Sequence, residues 1–256
     1  MVPAVVMVAI ATESAISPHP VSAEPTLQGQ TAKQAGTRTF TIRAGALIEA
    51  IYFNVPSNGE QLKRALLPSF QKAVAESGGE YLASFEVLKN AKGDHTVTHI
   101  ALMQWPNSSV RAAAKNSQSR QHLNSLITDV GFFAAQQDTP VVLSQDKIYD
   151  FTSAWTIATE PAHMQVVMQV LGTYFQKIGP VTQKYGITTT AFLGRHPAAP
   201  QDEARVFAPD ISGIFEWQNI EDHSKFNRDP MFTEHVDIRN AVLRRTEEVL
   251  ITKVIL

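Results

Sequence analysis

The sequence predicts an α+β fold in which two tandem β-α-β-β-α-β repeats close on each other as one barrel. Three observations carry this reading. The same order of strand-like and helix-like segments occurs twice along the chain. The second strand of each hairpin ends in a tryptophan, Trp105 and Trp217, 112 positions apart. Each tryptophan then opens the same pattern, Trp105-Pro106-Asn107 and Trp217-Gln218-Asn219, with Lys115-Asn116 and Lys225-Phe226-Asn227 following at similar spacing. Recurrence at a long fixed period is the mark of a repeated structural unit.

The elements follow in order. Val2 to Ala11 is an apolar run of signal-peptide length, and Val21-Ser22-Ala23 supplies small residues of the kind that precede cleavage, so residues 1–23 are expected to be a signal peptide. The chain would then be exported, to a periplasm or beyond. No Lys or Arg precedes the run, and Glu13, Pro18 and Pro20 follow it closely, which keeps a cytoplasmic location as the alternative. Residues 24–45 are polar and lack an apolar period, and read as a leader.

The first repeat is placed at 46–146. Strand-like Ala46 to Phe53 leads into a helix with Leu62, Leu66, Phe70 and Val74 on one face, stopped by Ser77-Gly78-Gly79. Strands follow at Tyr81 to Leu88 and Thr96 to Trp105, then a short polar helix, a longer helix from about Arg120 to Gln136 and a last strand at Val141 to Leu143. The second repeat, 147–256, has a strand at Phe151 to Ile157 and a helix carrying Val167, Leu171, Tyr174 and Ile178, stopped at Tyr185-Gly186. Strands at Ile187 to Leu193 and Ile211 to Trp217, a helix from Pro230 to Arg244 and a last strand at Val249 to Ile255 complete it.

Each repeat has helices for one sheet face only, so a lone half would expose an apolar sheet larger than a monomer tolerates. Two halves in one chain can cover each other and leave room for a ligand.

With 256 residues and 44% hydrophobic content, the chain has enough apolar material for real cores. Lys plus Arg number 22 against 24 Asp plus Glu, scattered along the chain, which argues against nucleic acid as a partner. Cysteine is absent, which removes disulfides, thiolate metal sites and cysteine nucleophiles. The apolar run at the N-terminus is too short for a stable membrane span. Self-association into a homo-oligomer is left open.

Gly93-Asp94-His95-Thr96-Val97-Thr98-His99-Ile100, ending at Trp105 and followed by Arg111, together with Phe226-Asn227-Arg228-Asp229-Pro230-Met231-Phe232, resembles the dimeric α+β-barrel superfamily. The first half looks most like NIPSNAP-type domains. The second is similar to EthD-related domains and antibiotic-biosynthesis monooxygenases. The resemblance spans about residues 46 to 256 and implies two ferredoxin-like layers forming an intramolecular dimeric α+β barrel. The superfamily includes haem enzymes, cofactor-independent oxygenases and isomerases, so the resemblance implies fold and not function.

The candidate site residues follow from position. Glu49 shares a strand face with Leu47, Ile51 and Phe53, where a carboxylate among apolar neighbours suits proton transfer. His99 shares its face with Val97, Ala101, Met103 and Trp105, as a pocket residue or a hydrogen-bonded core histidine. His95 and His99 lie four apart on a strand, about 13 Å from each other, too far to hold one ion, and no metal is expected. His122 and His235 fall at similar distances beyond their tryptophans and are candidates for a haem ligand or a base, or for a polar helix face. Trp105, Trp155 and Trp217 offer aromatic walls to a ligand or pack a core.

No G-x-S-x-G, G-x-x-x-x-G-K, H-E-x-x-H or glycine-rich dinucleotide turn is present. The chain is therefore expected to bind a small, largely apolar organic molecule without a cofactor, with oxygenase or isomerase-type chemistry based on Glu49 or His99. The alternatives are a haem-dependent peroxidase or haem-degrading protein, and a non-catalytic interaction module.

Overall fold

A computed structural model describes residues 39–55, 60–94, 96–115, 117–121, 128–136, 139–195 and 209–255. Strands β2 (Leu47–Asn54) and β4 (His99–Trp105), buried on both faces, form with β3 (Glu80–Lys92) and β5 (Thr128–Gln136) a set that pairs in the order β3-β4-β2-β5. Strands β7 (Ile148–Thr156), β8 (Thr188–Arg195), β9 (Ile211–Trp217) and β10 (Leu243–Ile255) pair in the equivalent order β8-β9-β7-β10. Antiparallel pairing of β10 with β3, and of β5 with β8, joins the two sets into a closed eight-stranded barrel. The fold is thus α+β, with two ferredoxin-like layers forming an α+β barrel within one chain.

The two sets share their register. In the first, Leu47 lies opposite Trp105 and Glu49 opposite Met103. In the second, Ile148 lies opposite Trp217 and Asp150 opposite Phe215. The tryptophans therefore end corresponding strands, and Asp150 holds the place that Glu49 holds in the first half.

An eight-stranded barrel has an interior just wide enough for side chains to fill. Tyr52, Phe85, Ile100, Leu102, Tyr149, Phe151, Trp155 and Ile214 fill it, drawn from both halves. The helices lie outside. Helix α1 (Glu60–Glu76) packs Phe70, Ala73 and Val74 onto Ile51, Phe53, Met103 and Trp105, and α2 (Ser108–Lys115) adds Ala114. In the second half, α3 (Pro161–Lys184) presents the stripe of Val167, Leu171, Tyr174, Ile178 and Val181 to the sheet. Helix α3 begins with proline in its first turn, where no intrahelical N–H is needed. Gly186, at φ 60°, lets the chain turn back after it. Short helices α4 (Ile220–Phe226), α5 (Pro230–Thr233) and α6 (Val236–Asn240) follow β9, and Phe226 and Phe232 pack with Tyr174, Ile178 and Trp217.

Four expectations need correction. The helix expected from Arg120 to Gln136 is instead strand β5 over its described part beyond residue 121. Thr128, Val130, Phe132 and Phe133 are strand formers, and β2 would otherwise leave one backbone edge unpaired inside the barrel wall. The last strand of the first half, expected at Val141 to Leu143, is β6 (Val141–Ser144), which pairs outside the barrel with β1 (Thr39–Ile42). β1 itself lies in the segment expected to be leader. The helix expected from Pro230 to Arg244 is two short helices, after which β10 starts at Leu243 and not at Val249. Among the described residues no helix is long and apolar enough to cross a membrane.

Candidate functional site

Period-two alternation on β7 sends Tyr149, Phe151 and Trp155 into the barrel and turns Asp150, Thr152 and Ala154 toward α3. Ile211, Gly213, Phe215 and Trp217 on β9 and Glu248 on β10 face the same way. The stripe of α3 does not close fully onto this surface. A cavity of about 130 Å³ remains between them, walled by Leu171, Tyr174, Ile178, Phe192, Phe215 and Trp217 among others. A single water needs roughly 10–15 Å³ of such space. The cavity thus takes a ligand of about ten non-hydrogen atoms, the size of a small ring system.

Polar groups converge at one end of these apolar walls. Asp150 on β7, His223 on α4 and Glu248 on β10 are all buried, and their nearest oxygen and nitrogen atoms lie within 4.8 Å of one another. Glu248 stands opposite Thr152, one diagonal step from Asp150. His223 is placed by α4, whose cap Asn219 accepts from Asp222 N–H at 2.9 Å, and its ring meets Trp217 edge-on at 5.0 Å. His223 Nε2 lies 3.7 Å from Glu248 Oε2, and an Arg239 guanidinium nitrogen lies 3.9 Å from Glu248 Oε1. Arg239 also sits over the rings of Tyr174 and Phe232.

The two carboxyl groups are driven apart in acidity. Burial pushes Asp150 well above the usual carboxylate range, and the neighbouring Glu248 charge adds to this against the hydrogen bond from Thr152 and the pull of Arg239. Burial also raises Glu248, but His223, Arg239 and Lys92 outweigh it and hold this carboxyl below its ordinary value. Tyr174 is pushed up to about 12, chiefly by burial, and so remains a hydroxyl donor. The acid form is thus favoured at Asp150 and the carboxylate at Glu248, the arrangement by which two nearby carboxyls take different parts in proton transfer. Three converging ligand atoms would also be the place for a divalent cation, but Arg239 and Lys92 already supply positive charge beside Glu248. That balance suits an acid–base pair better than a metal.

The residues singled out from sequence are scattered by the structure. Glu49 is buried on the outer face of the first-half sheet and is fully engaged. Trp105 Nε1 donates to its Oε2 at 2.8 Å, and Arg111 and Arg120 reach its Oε1 at 3.0 and 3.1 Å. His99 lies on the same sheet face but opposite Phe53, four strand positions from Glu49, stacked on that ring with Nδ1 2.8 Å from Thr98 Oγ1. Trp155 packs in the barrel interior beneath Arg245, whose guanidinium carbon is 4.5 Å from the ring. Trp217 alone among the tryptophans lines the cavity. His235 precedes α6, half-buried, and is not part of the cavity wall. His95 and His122 lie outside the described residues.

Sequence reasoning missed Asp150, His223 and Glu248. Two were within reach of it. With the halves aligned on their strand register, Asp150 falls on Glu49, and His223 follows Trp217 at the spacing at which Arg111 follows Trp105. Glu248 carries no such signal, since its counterpart across the equivalent strand pair is Phe132.

No family model matches the sequence, and no curated protein is significantly similar to it. Solved structures do match. An anthrone oxidase-like protein superposes with a TM-score of 0.58 at 12% identity, covering 84% of this chain and 94% of its own. A mutant chlorite dismutase from Candidatus Nitrospira defluvii superposes with a TM-score of 0.51 at 12% identity, covering 82% of this chain and 92% of its own. At such identity these neighbours share the α+β-barrel fold with this chain.

Proposed function

We propose that the chain binds a small, largely apolar organic molecule in the second-half cavity and transfers protons on it, as an isomerase-type enzyme that needs no cofactor. The observation that carries this is the convergence of Asp150, His223 and Glu248 at one end of a largely apolar, ring-sized cavity. In this reading the Glu248–His223 pair takes a proton from an activated carbon of the ligand, and Asp150 supplies one to the position where negative charge develops. One proton leaves the ligand and one enters it, so the protein returns to its starting state by exchanging a proton with water. Positioned acid–base groups of this kind contribute about 10²–10⁴-fold.

The role expected of Glu49 thus passes to its counterpart. Glu49 is neutralised by two guanidiniums, whereas Asp150 faces the cavity. The carbanion formed by the same step is also what dioxygen meets in cofactor-free oxidation, so an oxygenase would begin identically with dioxygen as oxidant. The fold shared with an anthrone oxidase-like protein is compatible with either outcome. The haem alternative draws less support, because a cavity for about ten non-hydrogen atoms holds only part of a porphyrin, and His235 is not in its wall. The closer likeness to NIPSNAP- and EthD-type domains rests on the sequence motifs alone.

The experiment is deuterium uptake by a panel of enolisable one- and two-ring ketones, 2-indanone among them, followed by proton NMR in D₂O. The wild-type protein is expected to speed exchange at the carbon next to the carbonyl, and Asp150→Asn and Glu248→Gln to cut that acceleration by about 100-fold. Exchange no faster than in buffer across the whole panel would remove the proposed chemistry.

A further inference from the structure

Trp217 is 4% exposed, and its indole Nε1 has no hydrogen-bond partner among the described residues. A buried donor left unpaired costs about 1–3 kcal/mol, so such a group calls for an explanation. The first half provides one. At the corresponding place the indole of Trp105 donates to Glu49 at 2.8 Å, and Arg111 holds the other oxygen of that carboxylate. In the second half the same strand register carries Asp150, one methylene shorter, and His223 stands where Arg111 does. The shorter side chain engages Thr152 at 2.9 Å and makes no hydrogen bond to the indole. Trp217, Asp150 and His223 all border the same cavity.

We infer that the ligand fills this gap with an oxygen atom, a carbonyl or phenolic oxygen that accepts from Trp217 Nε1 in the position taken in the first half by the outer part of Glu49. The first half, with its carboxylate in place, is in effect the occupied form of the site, and the second half is the open form. The substrate class follows from the geometry. It is a ring-sized apolar molecule with at least one acceptor oxygen at its polar end, and an unfunctionalised hydrocarbon fits the walls but leaves the indole unpaired. Asp150 lies beside the same gap, so an oxygen bound there is also in place to receive its proton. This inference rests on the proposed ligand cavity and adds to it the group that the ligand must carry.

The test compares 2-indanone with indane, the same carbon skeleton without the oxygen, by titration of the full chain while the indole N–H resonances are followed by NMR. Trp217→Phe identifies the Trp217 signal by its disappearance. The expected result is that 2-indanone moves that signal downfield and binds about ten-fold more tightly than indane, a preference lost in Trp217→Phe. A second variant guards against misfolding of the first. Asp150→Glu restores the missing methylene and is expected to shift the Trp217 signal downfield without any ligand. It should also weaken 2-indanone about ten-fold while sparing indane. Equal affinity for both compounds, with an unmoved indole signal, would overturn the oxygen site and leave the apolar cavity standing. Failure of both compounds to bind would remove the cavity reading and the inference with it.

Discussion

Glu49 sits between Arg111 and Arg120 with all three side chains almost fully out of water. Removing its charge takes from two buried guanidiniums the carboxylate they share, and breaking a buried ion cluster from one side costs about 3–5 kcal/mol. Glu49→Gln is therefore expected to lose stability of that order in urea unfolding, with deuterium uptake by the panel ketones unchanged in whatever fraction stays folded. Asp150 has the opposite character. Its acidity is weakened by folding, so its contribution to stability is full below the usual carboxyl range and is lost as pH rises through the raised value. Glu248, held below its ordinary value, contributes above the usual range and loses that contribution as pH falls. Asp150→Asn keeps an oxygen for Thr152 to donate to but cannot ionise. At alkaline pH it should therefore exceed the wild type by on the order of 1 kcal/mol, a margin that shrinks to nothing in acid, as read from unfolding midpoints across pH. At this scale the sequence showed which residues were unusual but not what surrounds them. A carboxylate among apolar neighbours was legible in Glu49, and the two arginines that neutralise it arrive from outside its own strand.

Strand β9 shapes the cavity wall by a side chain it omits. Gly213 faces α3 two residues before Phe215, and a Cβ placed on it would lie 2.4 Å from the Phe215 ring. The absent side chain is what lets that ring lie over Gly213. Gly213→Val is expected to swing Phe215 into the cavity and weaken 2-indanone binding about ten-fold or more, while the added β-branched residue suits the strand and keeps the thermal midpoint near that of the wild type. Calorimetric titration beside a thermal melt separates the two effects. Elements whose pattern is local were legible from sequence. The stripe of α3 was read from its three- and four-residue spacing, and β9 from a run of apolar residues ending at Trp217. β5 was not, because its run of Val130, Phe132, Phe133 and alanines satisfies a helical period equally well, and what decides is a partner strand on either side, β2 and β8. The convergence of Glu248 with Asp150 likewise depends on how β10 is registered against β7, a pairing between distant segments with no local trace.

The barrel as a whole is closed by two unlike seams. β10 and β3 pair along a long ladder, from Glu248 opposite Lys92 to Ile255 opposite Ser84. This ladder is reinforced where Glu247 accepts from the Asp94 N–H at 3.1 Å and packs against Gly93. Among the described residues, β5 and β8 meet only at Ala135–Arg195 and Gln136–Gly194. The repeat in the sequence predicted that each half would cover the other, but it treated both contacts as alike and could not show that one carries most of the closure. Local opening free energy follows the number of ladder bonds and buried contacts that must be broken together. The barrel should therefore open first between β5 and β8, remaining joined through β10 and β3. Native-state hydrogen exchange is expected to show amides 194–195 of β8 exchanging at least about ten-fold faster than amides 84–90 of β3, and to show the slow set exchanging only with global unfolding. Because β8 also supplies Phe192 to the cavity wall, a ligand held there has to slow exchange at the short seam as well, by roughly the factor by which its concentration exceeds its dissociation constant. Equal protection at both seams would mean that the barrel opens as one unit, and that the cavity is reached by a route that does not involve β8.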